Sequence, residues 1–156
     1  SGGLEPHRPQ QPLFLEEIPV FATGVTRGQR RTVARPGRSL TLFALKRIMA
    51  MDILIDRTSS GRVPFKEWLD GLGDLAGRTA IQRRLVRAAG GNLGDHQACR
   101  GGIWELRVDQ GPGYRVYFGR AGNAVIVLLA GGTKASQNRD IERAIHAWRD
   151  YRNHWS

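Results

Sequence analysis

The sequence predicts an α+β domain in which helices pack against a twisted antiparallel sheet. Residues 103–141 alternate twice between apolar and polar side chains, with a Gly-Pro-Gly turn at 111–113 and a Gly-Asn turn at 122–123, and then run apolar. This pattern is typical of a three-stranded antiparallel meander. Two stretches with helical spacing precede the meander and one follows it. The predicted order is therefore strand, two helices, three or more strands and a C-terminal helix.

The chain of 156 residues is long enough for one domain, which we place at residues 49–156. Residues 1–48 form a basic extension that contains five of the seven prolines, several glycines and a run of arginines. Such a composition without periodicity is typical of a disordered or loosely structured segment. Because Met49 and Met51 could each begin the domain, the extension could also be a leader that is not native to it.

The first half of the domain is predicted to hold one strand and two helices. Residues 51–56 alternate as a strand does and are expected to join the sheet of the meander. Pro64 suits a first helical position, and the helix ends at Gly71 or Gly73. Asp74 is a suitable N-cap for a second helix, which Gly90-Gly91 ends. The apolar stripes of the two helices are Phe65, Trp68, Leu69 and Leu72 in the first, and Ile81, Leu85 and Ala88 in the second.

Residues 92–102 are predicted to be a loop with a short strand, and Lys134 is placed in a Gly-rich loop after the meander. Ser136 is the predicted N-cap of the last helix, whose first turn carries Asp140 near the positive end of the helix dipole. The buried stripe of this helix is Ile141, Ala144, Ile145 and Trp148. All helices are expected on one face of the sheet.

The meander places two arginines together. Side chains alternate across a strand, so the apolar residues of the first two strands share one face, and Arg107, Arg115 and Tyr117 lie on the other. A three- or five-residue loop satisfies this register and puts Arg107 and Arg115 opposite or diagonal to each other. Like charges so placed repel. Either Glu105 and Asp109 are counter-ions on a plain polar face, or the two guanidiniums bind a polyanion such as phosphate.

Composition leaves the class of partner open. The net charge is +10, shared equally by residues 1–50 and 51–156, which suits nucleic acid or an acidic protein. The single cysteine, Cys99, fits a reducing compartment such as the cytoplasm. The four histidines have no metal-ligand spacing, so we expect no metal and no cofactor. The apolar stretch at 39–55 is too short and too charged to span a membrane.

Three motifs carry a resemblance to a known family: WELRV at 104–108, GYRVYF at 113–118 and GGTKASQNRDIERA at 131–144. In this order they resemble the RelE/ParE superfamily of bacterial type II toxin–antitoxin systems, in the HigB-like branch often labelled addiction module killer protein. The similarity extends over residues 51–150. It implies a RelE-like fold and a cytoplasmic toxin that cleaves mRNA in the ribosomal A site. It also implies a helix-turn-helix antitoxin as partner.

The resemblance assigns activity to basic residues, and RNA chemistry explains why. The 2′-OH of RNA is a built-in nucleophile, so cleavage needs proton transfer and cations around a phosphorane-like transition state. Lys134 or Tyr117 could transfer protons if neighbouring guanidiniums lowered its pKa. The candidate catalytic residues are Arg107, Arg115, Tyr117, Lys134 and Asp140, and the candidate RNA-binding residues are Arg84, Arg87, Tyr114 and Gln137.

Departures from the RelE pattern leave the proton-transfer roles open, and two alternative functions remain. Ile103 and Glu105 stand where RelE proper carries lysines, and Asp140 falls near the position of a tyrosine in RelE. ParE-like members of the superfamily inhibit DNA gyrase by binding, without needing catalytic cations. A second alternative is a module whose basic face serves mainly to hold its antitoxin.

Overall fold

A computed structural model describes residues 11–14 and 50–155 of the chain. The predicted loose extension at 1–48 therefore lies almost entirely outside the described residues. The strands are β1 (Leu13–Phe14), β2 (Asp52–Ile55), β3 (His96–Ala98), β4 (Trp104–Val108), β5 (Tyr114–Ala121) and β6 (Val125–Thr133). The helices are α1 (Pro64–Asp70), α2 (Leu75–Ala89) and α3 (Gln137–Trp155), and 3₁₀ turns occupy Arg100–Gly102 and Lys134–Ser136.

Most of the predicted local elements are confirmed. Ser136, however, is not the N-cap of the last helix: Thr133 caps the 3₁₀ turn that leads into it, and Ser136 is the third residue of that turn. α1 begins with Pro64 and is closed by Gly71. The Asp74 side chain caps α2 by accepting a hydrogen bond of 3.0 Å from the Gly77 amide. β4, β5 and β6 form the antiparallel meander, and a five-residue loop joins its first two strands. In this register Arg107 lies directly opposite Arg115.

The predicted wholly antiparallel sheet is wrong at one pair of strands. The strand order is β1-β2-β6-β5-β4-β3, and β2 pairs in parallel with β6. All other neighbouring pairs are antiparallel. Because α1 and α2 lie between β2 and the meander, the chain has room to return to the same end of the sheet, as a parallel pair requires. The architecture is α+β with a mixed sheet.

The glycines at the end of the meander belong to a strand, not to a loop as predicted. Gly131 pairs with Val116 and Gly132 with Arg115, so β6 continues to Thr133. A Cβ atom at Gly131 would lie 2.1 Å from the Trp68 ring, and one at Gly132 would lie 1.9 Å from the Asp140 carboxylate. Glycine is required here because side chains pack directly onto the strand backbone.

The helices cover both faces of the sheet, which corrects the prediction of a single helical layer. α1 and α2 pack on the face that carries Leu106, Val116 and Phe118. α3 packs on the opposite face with its predicted stripe, of which Ile141, Ala144 and Trp148 are buried. Its partners there are Ile103, Tyr117, Val127 and Leu129. The face that was expected to be open is therefore closed along most of its length by α3.

Candidate anion-binding site

The second sheet face stays accessible where α3 begins, and basic residues gather there. Arg107 on β4 and Arg115 on β5 form a directly opposed pair. The Lys134 amide donates a 2.9 Å hydrogen bond to the Gly113 carbonyl, so the turn before α3 is tied to the loop between β4 and β5. Gln137 is the first residue of α3. We call Arg107, Arg115, Lys134, Gln137 and Glu105 the basic cluster.

Glu105 lies at the centre of the basic cluster and is fully buried. Its Oε1 accepts a hydrogen bond of 2.8 Å from Arg107 Nε, and its Oε2 accepts one of 2.8 Å from the side-chain amide of Gln137. The Nε atom of Arg115 lies 3.8 Å from Oε1, within ion-pair range but beyond hydrogen-bond distance. The carboxylate thus links two strands of the sheet to the start of α3.

The two arginines have different surroundings. The Arg107 side chain is 33% exposed, and its pKa is raised chiefly by the hydrogen bond to Glu105. The Arg115 side chain is only 14% exposed, and its Nη1 donates to the Tyr114 carbonyl at 3.3 Å. Its Nε atom is buried and has no hydrogen-bond partner among the described residues. At Nε, therefore, Arg107 is hydrogen-bonded to Glu105 and Arg115 is not.

Gly113 lies between Lys134 and Arg115. A Cβ atom at this position would lie 3.8 Å from Lys134 Cβ and 3.9 Å from Arg115 Nη1. The glycine also has a φ of +78°, which side chains rarely adopt. Lys134 itself is exposed, at the start of the turn that leads into α3. The N-terminus of this 19-residue helix adds partial positive charge beside the arginines.

Tyr117 is fully buried under α3. Its hydroxyl has no hydrogen-bond partner among the described residues. Burial raises the pKa of Tyr117, and the nearby Glu105 and Asp140 carboxylates raise it further. The expectation that neighbouring guanidiniums lower this pKa is therefore wrong, because desolvation and two acids outweigh Arg115.

Asp140 is also buried, at 3% exposure, although it stands beside the cluster. Its Oδ2 accepts a hydrogen bond from the Ser136 hydroxyl, and Arg143 Nη1 lies 3.8 Å from Oδ1. The carboxylate packs against Gly132 of β6. These contacts give Asp140 the role of a helix-start carboxylate that fixes α3 against the sheet.

Of the four candidate RNA-binding residues, the structure brings only Gln137 into the cluster. Tyr114 lies on the opposite face, where its hydroxyl donates to Asp74 at 2.8 Å; burial and this hydrogen bond raise its pKa. Arg84 donates hydrogen bonds to the carbonyls of Arg107 and Asp95, at 3.3 and 3.0 Å. It therefore links α2 to the backbone of β4. Arg87 is exposed on α2.

Comparison with known proteins identifies one relative. No protein-family model matches the chain. It is 41% identical over 80 residues to an uncharacterized protein of Haemophilus influenzae, and the match covers 51% of this chain and 81% of that protein. The chain belongs to the family of this Haemophilus influenzae protein. Because the relative is uncharacterized, membership in this family brings no activity or functional residue to the chain.

The central role of Glu105 is the part of the site that sequence reasoning missed. The sequence presents it as a local counter-ion on an exposed face, whereas the structure buries it completely. One signal was available. Ile103, Glu105 and Tyr117 share a face, and Ile103 is an apolar residue on the side thought to be open. Its presence indicates that something covers this face, which α3 does.

The basic cluster can bind an anionic group. Within the basic cluster, Arg107, Arg115 and Lys134 carry three positive charges against the one negative charge of Glu105, an excess of two. This balance suits a phosphate group, which guanidiniums bind through paired N–H donors. Among residues 11–14 and 50–155, no group of three or more His, Cys, Asp or Glu side chains could hold a metal ion. No helix in the same ranges is long and apolar enough to cross a bilayer.

Proposed function

We propose that the chain is the toxin of a type II toxin–antitoxin module, of the HigB-like branch of the RelE/ParE superfamily, and that it cleaves mRNA on the ribosome. The observation that supports this is the meeting of Arg107, Arg115 and Lys134 at the start of α3. These are the three basic residues to which the resemblance assigns activity. The mixed sheet with a C-terminal helix is compatible with a RelE-like fold.

In the proposed reaction the 2′-oxygen of one nucleotide attacks the adjacent phosphorus. A bond from the 2′-oxygen to phosphorus forms as the bond to the 5′-oxygen breaks, which leaves a 2′,3′-cyclic phosphate and a 5′-hydroxyl. The 2′-OH loses its proton to a solvent water, and the leaving 5′-oxygen gains one from Lys134. Arg115 and the start of α3 stabilise the charge on the phosphorane-like transition state. In this proposal the exposed Lys134 side chain donates the proton to the leaving oxygen.

The proposal includes partners and a compartment. The substrate is mRNA in the ribosomal A site, so the protein acts in the cytoplasm. A helix-turn-helix antitoxin encoded beside the gene neutralises it. The reaction as written needs no cofactor, because the nucleophile comes from the RNA and the charge stabilisation from side chains.

A second candidate function is inhibition of DNA gyrase by binding, as in ParE-like members. The observation that favours it is the burial of Tyr117 and Asp140. Two of the five candidate catalytic residues are thereby removed from contact with substrate. A basic surface without general acids and bases would still bind an acidic partner.

The test compares the full chain with Arg115→Ala and Lys134→Ala in an inducible bacterial host, with mapping of new mRNA 5′ ends. The matched control is Arg83→Ala, which removes an exposed arginine from α2. We expect cuts inside translated codons for the wild type and the control. Each site variant should cut about 10²-fold more slowly, as when a single oxyanion donor is removed.

The other outcomes separate the two candidates. Growth arrest without new 5′ ends would replace the nuclease proposal with gyrase binding, which purified gyrase in a supercoiling assay would then test directly. Cleavage by both site variants at the wild-type rate would contradict the roles given to Arg115 and Lys134. If folded, soluble wild type causes no growth arrest and no cleavage, both candidates are contradicted.

A further inference from the structure

The buried carboxylate of Glu105 has no part in the reaction as proposed above. A carboxylate taken out of water without partners costs several kcal/mol, so its position requires compensation. Arg107 Nε and the Gln137 amide each supply a hydrogen bond of 2.8 Å. Between them they use one lone-pair site on each carboxylate oxygen. The side chain is therefore fixed at both oxygens, from the sheet and from α3.

The Glu105 carboxylate lies at different distances from the two arginines. Arg107 Nε is held at 2.8 Å, whereas Arg115 Nε remains at 3.8 Å from the same oxygen. Directly opposed guanidiniums repel each other, and the Glu105 charge beside both of them offsets this repulsion. Arg107 is thereby held to Glu105 through its Nε atom, whereas the guanidinium of Arg115 makes no hydrogen bond to this carboxylate.

We propose that Glu105 is a positioning residue that gives the two arginines different roles. It holds Arg107 as a fixed part of the framework, ties this framework to the start of α3 through Gln137, and leaves Arg115 as the cation that takes the substrate phosphate. The catalytic consequence of this inference rests on the proposed function. The pairing of Glu105 with Arg107 does not.

Replacement of the charge separates a positioning role from a purely structural one. Glu105→Gln is nearly isosteric and retains an oxygen acceptor for Arg107, but it removes the negative charge. The net charge of the cluster then rises by one, so RNA-loaded ribosomes should bind more tightly and KM should fall. Arg107 is no longer held by a charge-assisted bond, and kcat should fall on the order of 10- to 100-fold, as misplacement of an aligned group does.

The experiment uses the full purified chain and has two independent readouts. The first is the nitrogen-15 NMR signal of each arginine Nε–H group, assigned by substitution. In the wild type we expect the Arg107 proton to be shifted downfield by its hydrogen bond, and in Glu105→Gln to return toward the shift of a free arginine. The second readout is kcat and KM for a defined mRNA on purified ribosomes.

Two further variants guard against ambiguous results. Asp95→Asn also removes an acid near Arg107, at 4.0 Å from Nη1, but from an exposed position, and it should leave kcat and the NMR signal unchanged. Glu105→Asp keeps the charge but shortens the reach to Arg107, so kcat should fall with KM unchanged. If Glu105→Gln fails to fold, which circular dichroism would reveal, Glu105→Asp decides the question.

The outcomes distinguish the inference from the proposed function. If Glu105→Gln only lowers the fraction of active protein, and the active molecules keep the wild-type kcat and KM, the positioning role is overturned and Glu105 is a structural residue. An Arg107 signal that does not respond to Glu105→Gln would overturn the pairing itself. If the wild type cleaves no mRNA but the Arg107 signal responds as expected, the pairing stands and the proposed nuclease function fails.

Discussion

The hydroxyl of Tyr117 is buried beneath α3 and has no hydrogen-bond partner among the described residues. An unpaired buried hydroxyl costs about 1–3 kcal/mol. We therefore expect Tyr117→Phe to leave the free energy of unfolding unchanged or to raise it by about 1 kcal/mol. Because this hydroxyl cannot reach a substrate, mRNA cleavage should also persist. Urea denaturation and mapping of 5′ ends measure the two effects.

Tyr114→Phe is the matched control, since it removes a hydroxyl that donates to Asp74 at 2.8 Å. It should lower the free energy of unfolding by about 1 kcal/mol, the usual value for one hydrogen bond. Equal losses in the two variants would mean that Tyr117 has a partner after all. Loss of cleavage in Tyr117→Phe alone would restore Tyr117 to the catalytic residues.

The two tyrosines show which properties of single residues can be predicted from the sequence and which cannot. Strand alternation and turn length placed Arg107 opposite or diagonal to Arg115, because both depend on neighbouring positions in the chain. Burial of Tyr117 and Glu105 depends on α3, whose docking is a long-range contact. The pKa of Tyr117 follows from that burial, so its direction could not be predicted from adjacent arginines alone.

At the level of elements, the sheet accepts two indole rings because glycine stands under each of them. Trp148 of α3 packs on Gly119, and Trp68 of α1 packs on Gly131. A Cβ atom at Gly119 would lie 2.3 Å from the Trp148 ring. Trp148 also stacks on Tyr151, with ring centroids 5.4 Å apart, so it has little room to move. We expect Gly119→Ala to destabilise the fold by about 1–3 kcal/mol, as overpacking does.

Gly73→Ala is the control for this effect. A Cβ atom at Gly73 would meet nothing within 4 Å, and fewer unfolded conformations should make this variant neutral or slightly more stable. Thermal unfolding of both variants tests the contrast. Similar melting temperatures would mean that the Trp148 ring can move aside and that α3 is less firmly seated than its contacts indicate.

Element types, and the bounds of α1 and α2, were accessible from the sequence because Pro64, Asp74, Gly90 and the apolar stripes act locally. The placement of the elements was not. An apolar stripe indicates that α3 packs against a hydrophobic surface, but it does not indicate which face of the sheet provides that surface. Alternation likewise identifies β2 as a strand without giving its direction, which depends on the crossover through α1 and α2.

For the molecule as a whole, α3 performs two tasks at once. Its apolar stripe closes the second sheet face, and its first residue reaches Glu105 in the basic cluster. The site is therefore formed only when the sheet and the helix are packed together. The geometry of the site and the stability of the fold are therefore linked. Conditions that weaken the packing of either end of α3 should lower the free energy of unfolding.

Asp56 lies at the end of β2, near charged residues at the far end of α3, and makes the folding equilibrium dependent on pH. It is only 9% exposed at the end of β2, where its amide donates to Leu128 at 2.9 Å. Burial raises its pKa to about 6, and the nearby Asp150 carboxylate raises it too, against smaller opposing effects of the Arg57 amide and His154. The folded state thus holds this proton more tightly than the unfolded state does.

The contribution of Asp56 should therefore be complete below about pH 4 and lost as the pH rises through about 6, a change of roughly 3 kcal/mol. Asp56→Asn cannot ionise, so relative to wild type it should gain this amount between pH 4 and pH 7. Taking the difference between the proteins cancels the opposite trend from Asp74, whose pKa is lowered by its hydrogen bonds to the Gly77 amide and Tyr114. Exposed Asp109→Asn should show no such change. Urea unfolding at both pH values tests this prediction. A stability difference between Asp56→Asn and wild type that is the same at pH 4 and pH 7 would show that Asp56 does not make the folding equilibrium depend on pH.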